Sequence, residues 1–508
     1  MVHPADPAPH SRAPSRRPTP VLTDFRAASA LAWRRDLVAG EVSAVELTRT
    51  AITAAASQNQ LGAYLHLDPE SALLRAAEID QVRRTVLDSR SGSARSAARQ
   101  ELAARAPLLG MPTAFKDLLD VAGMPTTRGT AALPARTPAQ DDPLPRRVHA
   151  AGAISIGKTQ VPEFGLPCYS ENELAPAARN PLAPQRTAGG STGGGAAAVA
   201  AGMLPMAPGS DGGGSVRIPA AACGLIGLKP GRGRLPDDKQ ARSVRNLAVS
   251  GPIAHTAEDA ALLFDVMAGH RFHPSSEADG LPAGPALRQV RHALNHGMDQ
   301  LSIGVTTESP FSPDLDIVLA ESAVLALEQG LAALEQRGHI VEGSSHCTGA
   351  EAFWPEDYHR HFQALWTTPL GELDPPVEQL EAMAPLTRYF IELAKHRPEK
   401  QTRDSIAALE HFSADAEAFM GPWDILATPM LAYAPPEIGW FASLDPKENY
   451  REQCRFTPYS SVVNVMGLPA INVPTHTDAE GLSWSIQLIG RTGSEEQLLA
   501  LAGTMTQG

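Results

Sequence analysis

Two glycine-rich turns, each carrying a serine and joined by a segment of small residues, constrain this 508-residue chain more than any other feature. The first reads Ala188-Gly189-Gly190-Ser191-Thr192-Gly193-Gly194-Gly195, and the second runs from Gly209 through Asp211-Gly212-Gly213-Gly214-Ser215 to Arg217 and Pro219. Ser215 lies 24 positions after Ser191. Glycines of this kind serve turns that need positive φ or close backbone approach to a ligand, and their unhindered N–H groups can converge on one developing negative charge. That is the composition of an oxyanion hole with a hydroxyl nucleophile beside it. Alone, the Gly-Gly-Ser-Thr-Gly-Gly-Gly run reads as a flexible linker. Beside a second glycine turn and apolar Ile218, Leu225 and Ile226, it reads as a built site.

A nucleophilic serine needs a base, and histidine is the usual one. None of the 16 histidines lies in a motif that marks it for that role, and Ser215 is not in a Gly-x-Ser-x-Gly elbow. Lys116 is the better candidate, because Ala114, Phe115, Leu118 and Leu119 flank it as they would a lysine entering a core. A free lysine has a pKa near 10.4, so only about one in a thousand is neutral at physiological pH. Burial that disfavours the charge by about 3–4 kcal/mol would turn it into a working base. Asp211 and Arg217 flank the nucleophile and read as structural partners that hold its turn.

These segments, together with Cys223–Pro230, Gly467–Pro474 and Gln487–Gly490, resemble the amidase signature hydrolases over most of the chain. The resemblance implies that Ser215 is the acyl-accepting nucleophile, Ser191 a bridging serine on a cis peptide and Lys116 the base, with the backbone N–H groups around Gly212, Gly213 and Gly214 forming the oxyanion hole. An intermediate hydroxyl at Ser191 would pass the proton to Lys116 and later return it to the leaving amine. Thr192 replaces the family's second serine, keeping a hydroxyl and adding a methyl. Gly212 stands where the family more often has a larger residue, which predicts a looser hole or a wider site. The implied reaction is cleavage of an amide C–N bond through an acyl-enzyme, with ester and carbamate (urethane) bonds following the same path. The implied partner is a small-molecule amide, with no cofactor and no metal. A glutamine-hydrolysing amidotransferase subunit is the alternative within the family, and a non-catalytic relative is the alternative outside enzymes.

A further alternative comes from Gly152–Thr159, which matches the phosphate-binding pattern Gly-x4-Gly-Lys-Thr. Its Ala-Ile-Ser-Ile interior is strand-like and Pro162 follows closely, whereas a true phosphate loop opens a helix. Ser155 and Lys158 also match Ser-x-x-Lys, but Gly157 argues against the helix that motif needs.

A net charge of −13 leaves no basic patch for nucleic acid. The four cysteines, Cys168, Cys223, Cys347 and Cys454, show neither metal-type pairs nor a disulfide pattern. No apolar run reaches the roughly 18–20 residues of a membrane span, and charged Asp24 and Arg26 break up any export signal behind Arg16-Arg17. A cytoplasmic location is therefore expected. The oligomeric state is left open, a homodimer being one alternative.

Residues 1–20 are proline-rich and read as a disordered tail. Because the proposed site draws on positions from 116 to 490, residues 21–508 read as a single α/β domain. Ser43–Ala55 and Pro69–Leu87 show helical periodicity with Ser43 and Asp68 as caps, and Asp314–Arg337 reads as one amphipathic helix stopped by Gly338. Ala153–Ile156, Leu301–Val305, Asp424–Ala427, Ala470–Val473 and Ser483–Ile489 read as strands. The alternation predicts a large central twisted mixed sheet covered by helices on both faces. Residues 350–400, rich in aromatics from Phe353 to Tyr389 and Phe390, read as a helical insert. Trp354, Tyr358, Phe362 and Trp366 are expected to line the substrate pocket, which suits a bulky, apolar substrate. His359 and His361 lack the further ligands a metal site needs.

Overall fold

Short apolar segments become strands where both sides of the pleat can be buried, and all 8 residues of Ser483–Gly490 are buried. A strand of that kind has no solvent face, so both faces of its sheet are covered. In the computed structural model, which describes residues 24–236, 243–274, 280–342 and 354–506, this strand sits inside an eight-stranded sheet. From edge to edge the order is Ile340–Glu342, Ser302–Val305, Ile425–Pro429, Ser483–Gly490, Ala470–Thr477, Ile226–Lys229, Val249–Ala254 and Met206–Asp211. The first three pair in parallel and the rest antiparallel. Helices flank it, with Glu321–Gln336 and Glu495–Thr506 against Ala470–Thr477 and with Ala257–Met267 against Val249–Ala254. The expected mixed sheet is present. The tail over 1–20, Arg16-Arg17, Cys347 and Phe353 lie outside the described residues.

Lys116 is not on that sheet. It ends Pro112–Lys116, one edge of a separate three-stranded sheet whose middle strand is Ile154–Thr159 and whose other edge is Tyr64–Leu67. Pro112–Lys116 packs against the edge strand Met206–Asp211 of the large sheet, which brings the lysine to the serine turns. Two helix starts behave as their caps predict. Ser43 and Glu46 form a reciprocal capping box before Ala44–Ser57, and Asp68 accepts the Ser71 N–H before Pro69–Leu87.

Two expectations are corrected. The helix expected over 314–337 begins only at Glu321. Residues 311–315 close a tight turn on the Phe311 carbonyl, and the Ala320 N–H bonds the Ala432 carbonyl at 2.7 Å, so the chain is tied to a neighbour before the helix can start. The phosphate-loop pattern at Gly152–Thr159 is instead a buried strand, Ile154–Thr159, followed by a single 3-10 turn, Glu163–Gly165, rather than by an α-helix. A Cβ at Gly157 would collide with the His66 carbonyl of the paired strand, so this glycine serves strand pairing. Lys158 is fully buried and donates to Asp117 Oδ1 at 2.7 Å and to Thr126 Oγ1 at 3.0 Å.

Lys158→Met would leave the Asp117 carboxylate buried without its countercharge. We expect a loss of about 3–5 kcal/mol in urea unfolding; an unchanged midpoint would show that the pair contributes nothing to stability.

Candidate active site

The strand Met206–Asp211 delivers its last residue into the second glycine turn, and Asp211 organises that turn. Its carboxylate accepts the N–H groups of Gly214 at 2.7 Å, Val216 at 3.2 Å and Arg217 at 3.4 Å. The Arg217 guanidinium closes on both oxygens at 2.9 and 3.0 Å. Arg217 also reaches Gln487, Asn464 and the Ser460 carbonyl. Burial alone would push the Asp211 carboxyl up, but Arg217, with Lys229 and Asn464, holds it well below the usual carboxylate range.

Across from this turn, Lys116 is 1 % exposed. Its Nζ lies 2.8 Å from Ser191 Oγ, 3.0 Å from the Ser210 carbonyl and 3.0 Å from Ser210 Oγ. Burial pushes its pKa down to about 7, with Asp211 pulling it part of the way back up. The Gly190–Ser191 peptide is cis. Thr192 is buried, and its N–H donates to the Ser215 carbonyl at 3.2 Å, joining the two serine turns. Its added methyl occupies space left open at Gly209, where a Cβ would come within 2.8 Å.

Lys116, Ser191 and Ser215 line one cleft of about 770 Å³. Among the described residues, no histidine lines it. A histidine does bridge a serine and an aspartate elsewhere, with Ser155 Oγ and Asp141 Oδ2 each 2.7 Å from His149, but Ser155 is buried within its strand and this chain of bonds ties the helix Pro143–Ala150 to the small sheet. Of the three glycines expected to form the anion-binding backbone, Gly214 has its N–H committed to Asp211. The N–H groups of Gly212, Gly213 and Ser215 make no hydrogen bond among the described residues, and these remain for a ligand. Gly212 does not loosen the turn. Trp366 stands over it, and a Cβ there would come within 3.3 Å of the indole.

The aromatic wall is smaller than expected. Tyr358, Phe362 and Trp366, four residues apart on the helix Tyr358–Thr367, stack as a ladder with centroids 5.8 and 5.7 Å apart. Trp366 lines the main cleft, while Phe362 and Trp366 line a recess of about 50 Å³ that also touches Ser215. Tyr358 is buried with its hydroxyl on Ser461 Oγ at 3.0 Å, and Trp354 packs on Phe419 at 4.9 Å. Tyr358 belongs to the core, and Trp354 is partly buried against it. His359 stacks on Tyr450, and His361 bonds Ser405.

Sequence reasoning gave no role to Ser210, Asn464, Phe164, Arg128 and Arg245, and it took Gln487 only as part of a motif. Ser210 precedes the recognised Asp211, and Arg128 lies 12 positions after Lys116; Phe164, Arg245 and Asn464 carry no signal of their own that points to the site.

An α/β sheet of this order carrying two serine turns and a buried lysine defines a class of enzyme, and the chain belongs to the amidase family, whose model matches residues 46–499. The Mycobacterium tuberculosis protein named "Putative amidase AmiB2" is 36% identical over 424 residues, covering 82% of this chain and 86% of that one. Among solved structures, 6-aminohexanoate cyclic dimer hydrolase in complex with substrate superposes with a TM-score of 0.76 at 25% identity, covering 94% of this chain and 96% of that one. A bacterial aryl acylamidase shares the fold with a TM-score of 0.75 at 20% identity, covering 96% of each chain.

Trp366→Ala should change the ranking of amide substrates by kcat/KM several-fold, whereas Trp354→Ala should lower thermal stability and leave the ranking in place. Equal effects on ranking would contradict the division of the aromatics between cleft and core.

Proposed function

We propose that this protein hydrolyses the amide C–N bond of a small, largely apolar molecule by acyl transfer to Ser215, with Ser191 relaying the proton to Lys116. The observation that carries this reading is the buried Lys116 Nζ at 2.8 Å from Ser191 Oγ in a cleft that also holds Ser215. A neutral amine has two N–H donors and one lone pair. Ser210 takes the donors on its carbonyl and hydroxyl oxygens, and the lone pair is then free to accept the Ser191 hydroxyl proton. That direction is the one a relay needs.

As Ser215 Oγ attacks the carbonyl carbon, its proton passes to Ser191 while the Ser191 proton passes to Lys116. The negative charge on the carbonyl oxygen is met by the N–H groups of Gly212, Gly213 and Ser215. The relayed proton returns to the leaving nitrogen, the C–N bond breaks, and water releases the acid from Ser215 by the same steps. Each backbone donor in such a hole is worth about 2.7–4 kcal/mol in the transition state. An ester or carbamate presents the same carbonyl and enters the same sequence.

The base must be neutral, so kcat/KM should rise with pH through about 7 and level off above it. Ser215→Ala and Lys116→Ala should each abolish hydrolysis of nitroanilide and aliphatic amide substrates; turnover surviving Ser215→Ala would remove the nucleophile and the reading with it. The same burial has a cost in stability. Below pH 7 the charged lysine is buried in full, and the penalty fades as pH approaches the ordinary lysine value, because the unfolded chain then loses its proton as well. Lys116→Met should therefore be inactive yet more heat-stable than wild type, by a margin largest below pH 7 and vanishing toward pH 10. A margin independent of pH would show that the lysine charge is not the source of the penalty.

A further inference from the structure

The charges lining the cleft have one sign. Lys116, Arg128 and Arg245 line it, and among the described residues it has no acidic lining residue, in a chain whose net charge is −13. Lys116 is occupied by Ser191 and Ser210. Arg128 and Arg245 are exposed and form no ion pair among the described residues, Arg128 acting only at longer range on the partly buried Asp142 carboxyl. A surface rich in carboxylates normally supplies partners to exposed arginines, and many do pair here; two guanidinium groups left open in one concave, partly apolar space focus a positive potential there.

The backbone beneath Arg128 is built for this placement. Arg128 holds φ 57°, and Phe164, also on the cleft, holds φ 52°. Neither is glycine, and such conformations are strained unless their surroundings impose them. The surroundings do impose them. The Phe164 N–H donates to the Arg128 carbonyl at 2.8 Å, and the preceding Thr127 gives its N–H to Asp117 Oδ2 at 2.9 Å and its hydroxyl to the same oxygen. Asp117 is in turn fixed by Lys158. A buried ion pair thus anchors the loop that carries a cleft arginine in a left-handed conformation. Arg245 comes from a different part of the chain, just before the strand Val249–Ala254.

We propose that the cleft takes amides whose end remote from the scissile bond carries a carboxylate, recognised by Arg128 and Arg245, with the apolar middle of the molecule against Trp366, Leu370 and Leu373. This rests on the amidase reading above and names its substrate class. A guanidinium fork matches a planar carboxylate, and the leucine-rich walls suit an organic acid better than an inorganic anion. The same arrangement selects against neutral amides of equal size, since binding them leaves the arginines merely hydrated.

Binding separates this inference from turnover. In calorimetric titrations, 4-phenylbutyrate should bind at least about 10-fold more tightly than 4-phenyl-1-butanol, neither of which contains an amide. The preference should weaken as salt is raised. It should also fall several-fold in Arg128→Asn, whose side chain tolerates a left-handed backbone, and in Arg245→Gln, while Arg128→Lys should retain part of it. In turnover, succinyl p-nitroanilide should exceed butyryl p-nitroanilide in kcat/KM by a similar factor, and the ratio should drop in the same variants. Equal affinities for the acid and the alcohol, or a preference that survives both substitutions, would overturn the inference while leaving the amidase reading intact. Loss of all hydrolysis with the binding preference preserved would overturn the amidase reading and leave the carboxylate site standing.

Discussion

The fully buried ion pair between Asp211 and Arg217 is the contact on which the site is assembled. Taking both charges out of water is costly, and such a pair contributes through geometry more than through net energy. Asp211 pins three successive parts of the glycine turn by their N–H groups, and Arg217 distributes its planar set of donors over Asp211, Gln487, Asn464 and the Ser460 carbonyl. The turn that presents Ser215 is thereby fastened to the helix Ser461–Met466 and to the strand Ser483–Gly490. Segments some 250 positions apart in sequence are held by one arginine. Glycine leaves the backbone of such a turn free to move, and Asp211 removes that freedom by holding the N–H groups of Gly214, Val216 and Arg217.

Three buried lysines show how environment assigns roles to one residue type. Lys158 is lowered by burial but held to the Asp117 carboxylate, and it works as a strut. Lys229 is pushed down to about 7 by burial and by Arg217, and its Nζ donates to the Pro230 carbonyl. Lys116 reaches the same value by burial, yet its partners are hydroxyl and carbonyl oxygens and it opens on the cleft. Only the last lies on the cleft that also holds Ser191 and Ser215. The perturbed pKa alone would not have distinguished Lys116 from Lys229; position does.

Sequence signals are legible where the physics is local. Ser43 and Asp68 cap helices because a side-chain oxygen within three residues meets an open N–H, and the strands around Ile303, Ile425, Ile471 and Ile486 follow from short apolar runs between turns. They mislead where a distant partner intervenes. The start of Glu321–Gln336 is set by Ala432, and the Gly214 N–H is taken by Asp211. The aromatic helix is instructive. Tyr358, Phe362 and Trp366 share one face, so spacing could identify the stripe, but which rung reaches the cleft depends on where the helix ends against Gly212.

Residue type and near neighbours alone determined the family and the groups on offer: two serines in glycine-rich turns, a lysine bracketed by apolar residues, and an aspartate and arginine beside Ser215. All of this is written in the order of amino acids. Which groups meet was left to the packed chain. Packing placed Ser210 on Lys116, brought Arg217 to Gln487 and Asn464, buried Tyr358 and set Trp354 against the core, and left Arg128 and Arg245 facing the cleft outside any ion pair among the described residues. The physical reason is the same in each case: burial and pairing are properties of the packed whole, and a side chain's charge and reach acquire their value only from what the fold sets against them.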